Sequence, residues 1–230
     1  MVNLVAAAAV FVLFHLLVSG TRLRDAAVGT LGQGAYMGLY SLASVAGLAW
    51  LIFAFGGARS DPASAVLWSS APALRWVQLV LQFLALMLVV PGLATPNPTS
   101  VAQQGLLERP DAVKGMLRIT RHPFLWGVAI WAFGHLLVNG DVAGLVLFGS
   151  LLALALFGTV SIDAKRKRAL GDKWDAFATQ TSSAPFAAIL AGRQKLSIGE
   201  IGWWRLALGV VVYAALLAGH PYAFGVSPMP

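Results

Sequence analysis

The positive charge of this chain is confined to the connections between long apolar runs, and it falls almost wholly on alternate connections. Six runs are legible: Val2 to Ser19, Tyr36 to Phe55, Trp76 to Leu93, Phe124 to Val138, Val142 to Ile162 and Leu206 to Tyr222. The first connection carries Arg22 and Arg24, and the third carries Arg109, Lys114, Arg118 and Arg121. The fifth, with its flank, carries Lys165, Arg166, Lys167, Arg168, Lys173, Arg193, Lys195 and Arg205. Of 16 lysines and arginines, only Arg59 and Arg75 fall on the other side. Alternate connections of an antiparallel bundle share one membrane face, and basic loops stay in the cytoplasm. The expectation is an all-α polytopic membrane bundle of about six transmembrane helices, N-out and C-out, with residues 1–230 forming a single domain.

Composition agrees with a lipid environment. The chain is 58% hydrophobic and 11% charged, with a mean hydropathy of +0.76, where soluble domains carry roughly a quarter charged residues. The net charge of +7 is accounted for by loops facing anionic lipid, so nucleic acid is not an expected partner. There is no cysteine, which excludes disulfides, thiolate metal sites and a cysteine nucleophile. A signal-peptide reading of the first run fails because its basic residues follow the apolar stretch. Asn139-Gly140-Asp141 predicts a tight turn between runs four and five. Thr95-Pro96-Asn97-Pro98 cannot continue a helix. Leu170, Trp174 and Phe177 recur at i, i+4, i+7 and predict a short amphipathic helix, lying on the inner leaflet or packed on the bundle end.

Polar residues recur at helical spacing inside the runs: His15, Ser19 and Arg22; Tyr36, Tyr40 and Ser44; Gln78 and Gln82; Gly127, Trp131 and His135. At membrane depth such groups face the bundle interior. The glutamines and tyrosines are read first as helix–helix glue. The four histidines are His15, His122, His135 and His220. Without cysteine, they are the candidate metal or haem ligands, although each is equally well explained as a structural hydrogen-bonder. At about 1.5 Å per residue, His15 lies ~6 Å and His135 ~17 Å from the inner edge. In depth alone, His15 matches His122, and His135 matches His220.

Several motifs resemble a known family. Arg118-Ile119-Thr120-Arg121-His122-Pro123, Gly127, Trp131, His135 and Asn139-Gly140 are similar to the NnrU family and its relative, the 15-cis-zeta-carotene isomerase family. The likeness continues through Gly171, Phe177, Thr181-Ser182, Pro185-Phe186-Ala187-Ala188-Ile189 and Gly192-Arg193-Gln194-Lys195-Leu196, and begins with His15 and Leu23-Arg24. The isomerase branch implies haem b, with iron ligands falling on His15 and His135. It also implies a cysteine where this chain has Ala132, so a cysteine-dependent ligand switch is not available here. The NnrU branch implies a role in nitrogen-oxide metabolism and denitrification. Either branch fits a bacterial inner membrane. Arg121-His122-Pro123, Gly127 and Gly171-Asp172-Lys173-Trp174 before Pro185-Phe186 also resemble the isoprenylcysteine carboxyl methyltransferase type, whose Arg-His-Pro lines an S-adenosylmethionine pocket. Its acidic pair is missing: around Asp163 the sequence turns basic.

The resulting expectation is a haem-b-binding membrane protein of the NnrU type. It would carry out redox or cis-trans isomerase chemistry on a small or apolar polyene substrate, or act on nitric oxide. The alternatives are an S-adenosylmethionine-dependent membrane methyltransferase and a non-enzymatic assembly or sensing partner of a denitrification enzyme. The expected iron ligands are His135 and His15, with His122 the substitute. Trp131 is expected to stack on the macrocycle beside the space left by Gly127, and Arg22 to pair with a propionate.

Overall fold

A computed structural model describes residues 1–100, 103–109 and 111–230. The first apolar run forms α1 (Val2–Leu13), continues as a π-helical turn over Phe14–Val18, and then bends by 76° into α2 (Arg22–Leu31). Next come α3 (Gln33–Ala58) and α4 (Pro72–Ala94). A 3₁₀ turn (Gln104–Glu108) and the short α5 (Met116–Ile119) lead to α6 (Pro123–Val138) and α7 (Val142–Leu170). The chain closes with α8 (Asp172–Gln180), the single turns α9 (Ala187–Leu190) and α10 (Ile198–Ile201), and α11 (Trp203–Phe224).

Four helices, α3, α4, α7 and α11, are long and apolar enough to cross a membrane, and the bent α1–α2 pair makes a fifth. α6 has 16 residues, about 24 Å of rise, which is short of the ~30 Å hydrocarbon thickness. The expected six spans are therefore four or five by length and composition, with α6 a shorter apolar helix wedged between α4 and α7. The all-α membrane architecture stands.

Local chemistry sets the element ends. Pro72 occupies the first turn of α4, where its missing N–H costs nothing. Pro91 does not stop α4, and the hydroxyl of Thr95 donates to the Pro91 carbonyl at 2.7 Å before the chain leaves the helix. Asp141 caps α7 by accepting from the Gly144 N–H at 2.6 Å. The Asn139-Gly140-Asp141 turn is tight, as expected. The Gly140 carbonyl accepts from Leu67 and Trp68, and a Cβ on Gly140 would lie 1.9 Å from the Trp68 carbonyl oxygen.

The helices pack in the order α11, α4, α6, α7, α1, α3, with α3 also touching α7. The main apolar core lies where α1, α3, α6 and α7 converge, around Leu4, Phe11, Leu51, Ala132, Leu147 and Phe148. The two ends of the bundle differ. At one end Val66 pairs with Asp141. At the other, the basic connections interlock: Arg121 with Asp163, Arg118 with Glu200, Lys165 with Ser19, and Arg205 with the Ala94 carbonyl. These are called the lean end and the basic end.

α8 is placed differently from one of its two expected positions. Trp174 and Phe177 are buried against Leu117, with Leu107, Val113 and Leu170 around them. The helix packs on the bundle end, so its apolar stripe is not free to lie on a leaflet.

Candidate functional site

The four histidines occupy three different surroundings. His135 lies in the last turn of α6, near the lean end. Its Nδ1 is 2.9 Å from the Trp131 carbonyl four residues back. A carbonyl can only accept, so the proton sits on Nδ1 and the lone pair on Nε2. Phe148 of α7 stacks on the imidazole at 4.8 Å and 20°, and Trp131 is tilted against it at 4.6 Å. Phe55 of α3 meets Phe148 edge-on at 5.9 Å, and the Arg59 guanidinium lies 5.9 Å from the Phe55 ring centre. His220, on α11 at the same end, has its Nδ1 2.9 Å from the Val226 carbonyl and its ring against Phe224.

His15 repeats this arrangement at the basic end. It sits on the π-helical turn, and its Nδ1 is 2.8 Å from the Phe11 carbonyl. Its ring touches Phe11 at 4.3 Å, Phe14 at 5.6 Å and Tyr40 at 5.7 Å. Among the described residues, neither the His15 nor the His135 Nε2 has a hydrogen-bond partner.

His122 is committed elsewhere. It is 2% exposed and stands at the N-cap position of α6. Its Nε2 donates to Asp163 Oδ1 at 2.8 Å, and Arg121 grips the same carboxylate through Nε and Nη2. The Arg121 backbone is fixed as well: its N–H donates to the Ser182 carbonyl, and its carbonyl accepts from Asn97 Nδ2 at 3.0 Å and the Thr99 hydroxyl at 3.1 Å. The Thr120 hydroxyl donates to Ser183. This knot joins the third and fifth connections. Sequence reading missed Asp163 as the partner, yet it is the only carboxylate in α7, and a lone acid facing an Arg-His pair was the available signal.

The structure brings Trp131 to His135 but does not bring His15 to either. α7 lies between α1 and α6. Along α3, His15 sits beside Tyr40, while Phe148, the ring stacked on His135, sits beside Phe55. Those two α3 positions are fifteen residues, about 22 Å, apart. The rings around His15 (Phe11, Phe14 and Tyr40) and those around His135 (Trp131 and Phe148) are different sets. In each, Nδ1–H is held by a carbonyl and Nε2 is free, an arrangement that ligating histidines also show. The space beside Gly127 is not open to a macrocycle. A Cβ there would meet Val89 Cγ2 at 2.4 Å and the Ala85 carbonyl oxygen at 2.8 Å, both on α4. Arg22 is exposed, whereas Arg24 turns inward and lies 5.7 Å from the Tyr36 ring centre. Among the described residues, no group of three or more His, Asp or Glu side chains could hold a metal ion.

The basic end also holds a cavity of about 320 Å³, lined in part by Leu107, Arg109, Val113, Lys173, Phe177 and Gln194. Neither Arg121 nor His122 lines it. At its edge Arg118 donates to Glu200 through Nε at 2.7 Å and Nη2 at 2.8 Å, and to Gln194 through Nη1 at 2.7 Å. The guanidinium, joined by the Gly115 N–H, holds the Glu200 carboxyl below its usual range.

Apolar helices of spanning length, polar loops locked at one end and imidazoles set among aromatic rings define a multi-pass membrane protein of all-α type. A family model described as "NnrU protein" matches residues 3–228, and the chain belongs to the NnrU family. It is similar to the chloroplastic 15-cis-zeta-carotene isomerase of Zea mays, at 38% identity over 82 residues, 36% of this chain and 22% of that protein. The corresponding protein of Arabidopsis thaliana is 37% identical over 82 residues, with the same 36% and 22% coverage. The likeness thus spans about a fifth of these curated relatives. No solved structure matches the chain.

Proposed function

We propose that this protein is a haem-b-binding member of its family in a bacterial inner membrane, with isomerase-like chemistry on an apolar polyene held among the helices. The observation that carries the reading is the state of His135. Its imidazole is half-buried among aromatic rings, fixed through Nδ1 and left, among the described residues, with an unengaged Nε2. Partial likeness to two carotene isomerases supplies the substrate class.

His135 would hold the haem without His15, with Trp131 and Phe148 against the imidazole and Arg59 a cation of that end for a propionate. When bound, the iron supplies electron exchange that lowers the barrier to rotation about a conjugated double bond. The chain's own part is to hold the imidazole tautomer through the Trp131 carbonyl, to exclude water with the Phe55–Phe148–Trp131 cluster, and to position an apolar chain. With His135 as the one protein ligand, a haem held there would also be able to take up nitric oxide. The methyltransferase alternative is weakened because Arg121 and His122 are both spent on Asp163.

The test is purification after growth with a haem supply. Pyridine-haemochrome analysis should give close to one haem b per chain, and chromatography should detect cis-to-trans conversion of a carotenoid. No haem and no conversion would overturn the reading. Haem without conversion would leave an assembly or sensing role in nitrogen-oxide metabolism.

A further inference from the structure

The bend after α1 forms a basic notch in which, among the described residues, cations outnumber carboxylates. The bend is well built. Thr21 donates to the Leu17 carbonyl at 2.5 Å and accepts from the Leu23 N–H at 3.2 Å, closing one helix and capping the next. Gly20 lies against α7 so closely that a Cβ would be 2.2 Å from the Ser161 hydroxyl oxygen. One and two turns along α7, Lys165 donates to Ser19 at 3.4 Å and Arg168 to the Gly20 carbonyl at 2.9 Å. π-helical turns of this kind cluster at functional sites.

Arg24, Lys165 and Arg168 gather at this point. The carboxylate beside them is Asp25, which pairs with Arg24 at 3.3 Å on the exposed side. Lys165 and Arg168 reach neutral oxygens, on Ser19 and Gly20. Arg24, Arg166 and Arg168 all stand within electrostatic range of Lys165. Like charges gathered at the rim of an apolar bundle repel one another unless an anion sits among them.

A second observation is independent of the charge. Tyr36 is 5% exposed, and its buried hydroxyl has no hydrogen-bond partner among the described residues. The Arg24 guanidinium lies over its ring, and Tyr40 stacks on its other neighbours at 5.7 Å from Tyr36 and 4.9 Å from Phe14. A buried hydroxyl left unpaired costs free energy that an acceptor would recover. Below the notch the outward faces are apolar: Leu13 and Leu17 on the first helix, and Leu39, Leu42 and Val45 on α3, are all exposed.

We propose that this notch binds the phosphate head group of an anionic phospholipid. Arg24 and Lys165 engage the phosphate, the Tyr36 hydroxyl donates to it, and the acyl chains lie along the exposed leucines of the first helix and α3. Basic pockets between membrane helices select such lipids, and the apolar faces under the notch select a lipid over free phosphate. The site is separate from His135, so its fate does not depend on haem.

The test uses the full chain in nanodiscs of phosphatidylcholine carrying increasing phosphatidylglycerol, with bound lipid counted by native mass spectrometry. Phosphatidylglycerol should be retained in preference to phosphatidylcholine. Arg24→Gln and Lys165→Gln should each weaken retention about fivefold, and Arg75→Gln at the lean end should not change it. Tyr36→Phe, which keeps the ring packing, should also weaken retention, and it serves if a charge variant fails to fold. Equal retention of the two lipids, or unchanged retention in Arg24→Gln, Lys165→Gln and Tyr36→Phe, would overturn the proposal. So would displacement of the lipid by millimolar inorganic phosphate. Loss of bound haem in Arg24→Gln with lipid retention intact would assign the notch to haem carboxylates and overturn it equally.

Discussion

Gln82 and His135 donate to one acceptor, the backbone carbonyl oxygen of Trp131, at 3.3 Å from Gln82 Nε2 and 2.9 Å from His135 Nδ1. α4 thereby takes part in orienting the imidazole on α6. Replacing Gln82 by Leu removes one interhelical hydrogen bond in the bundle, a loss of about 0.6–1.7 kcal/mol. Unfolding in mixed detergent should show that loss with the overall fold retained. An unchanged midpoint would mean that the contact carries no energy.

Gly134 should be far less tolerant. A Cβ there would lie 2.3 Å from Gln78 Oε1 and 2.6 Å from Gln82 Nε2. Gly134→Val must displace the ends of both glutamine side chains and break the Gln82 bond to the Trp131 carbonyl, costing about 1–3 kcal/mol, and should disturb His135 next to it. In the same unfolding assay Gly134→Val is expected to be more destabilising than Gln82→Leu. The reverse order would show that the two glutamines move aside at little cost.

Asp163 carries the junction of the basic end. Its side chain is 22% exposed, against 12% for Arg121 and 1% for His122. Asp163→Asn leaves a largely buried guanidinium without its counter-charge, at a cost of about 3–5 kcal/mol. Arg121→Gln with Asp163→Asn should cost less than the two single changes added, because the pair fails as a unit. Thermal denaturation followed by circular dichroism checks this, and simple additivity would refute the coupling.

Glu200 gives a pH signature. Arg118 first, and then the Gly115 N–H, hold its carboxyl below the ordinary glutamate value. The group binds fewer protons when folded, so its contribution is fully present above the unfolded value and is lost as pH falls through the lower folded value. Limited proteolysis of residues 192–205 should therefore accelerate on acidification. Glu200→Gln should already be susceptible at neutral pH and should flatten the profile. A wild-type profile in that variant would contradict the sign.

Membrane orientation follows from the charge split. A cysteine placed at Lys167 in this cysteine-free chain should be protected from an impermeant label in intact spheroplasts, and one at Asp141 should react. Labelling of 167 but not 141 would invert the topology.

The long helices, the Asn139-Gly140-Asp141 turn and the stop at Thr95-Pro98 were legible in the sequence because local periodicity and turn chemistry decide them. The order in which helices pack was not. Spacing gave the depths of His15 and His135 along their own helices but not that α7 stands between them. The bend into α2 was hidden because its cause, the docking of Ser19 and Gly20 on Ser161, Lys165 and Arg168, is tertiary. Trp174 and Phe177 showed an amphipathic stripe but not which apolar surface would cover it, and Leu117 does. Asp163 was read as isolated among lysines and arginines, although its partners lie forty residues earlier in Arg121 and His122.

We propose that one histidine, His135, holds a haem that His15 does not share. The most direct measurement is the visible spectrum of the detergent-purified protein beside its His135→Ala, His15→Ala and His220→Ala variants. A Soret band should be present in the wild type, survive in the His15 and His220 variants, and vanish or fall strongly in His135→Ala. A full, unaltered Soret band in His135→Ala, or a low-spin spectrum lost equally in His135→Ala and His15→Ala, would contradict it.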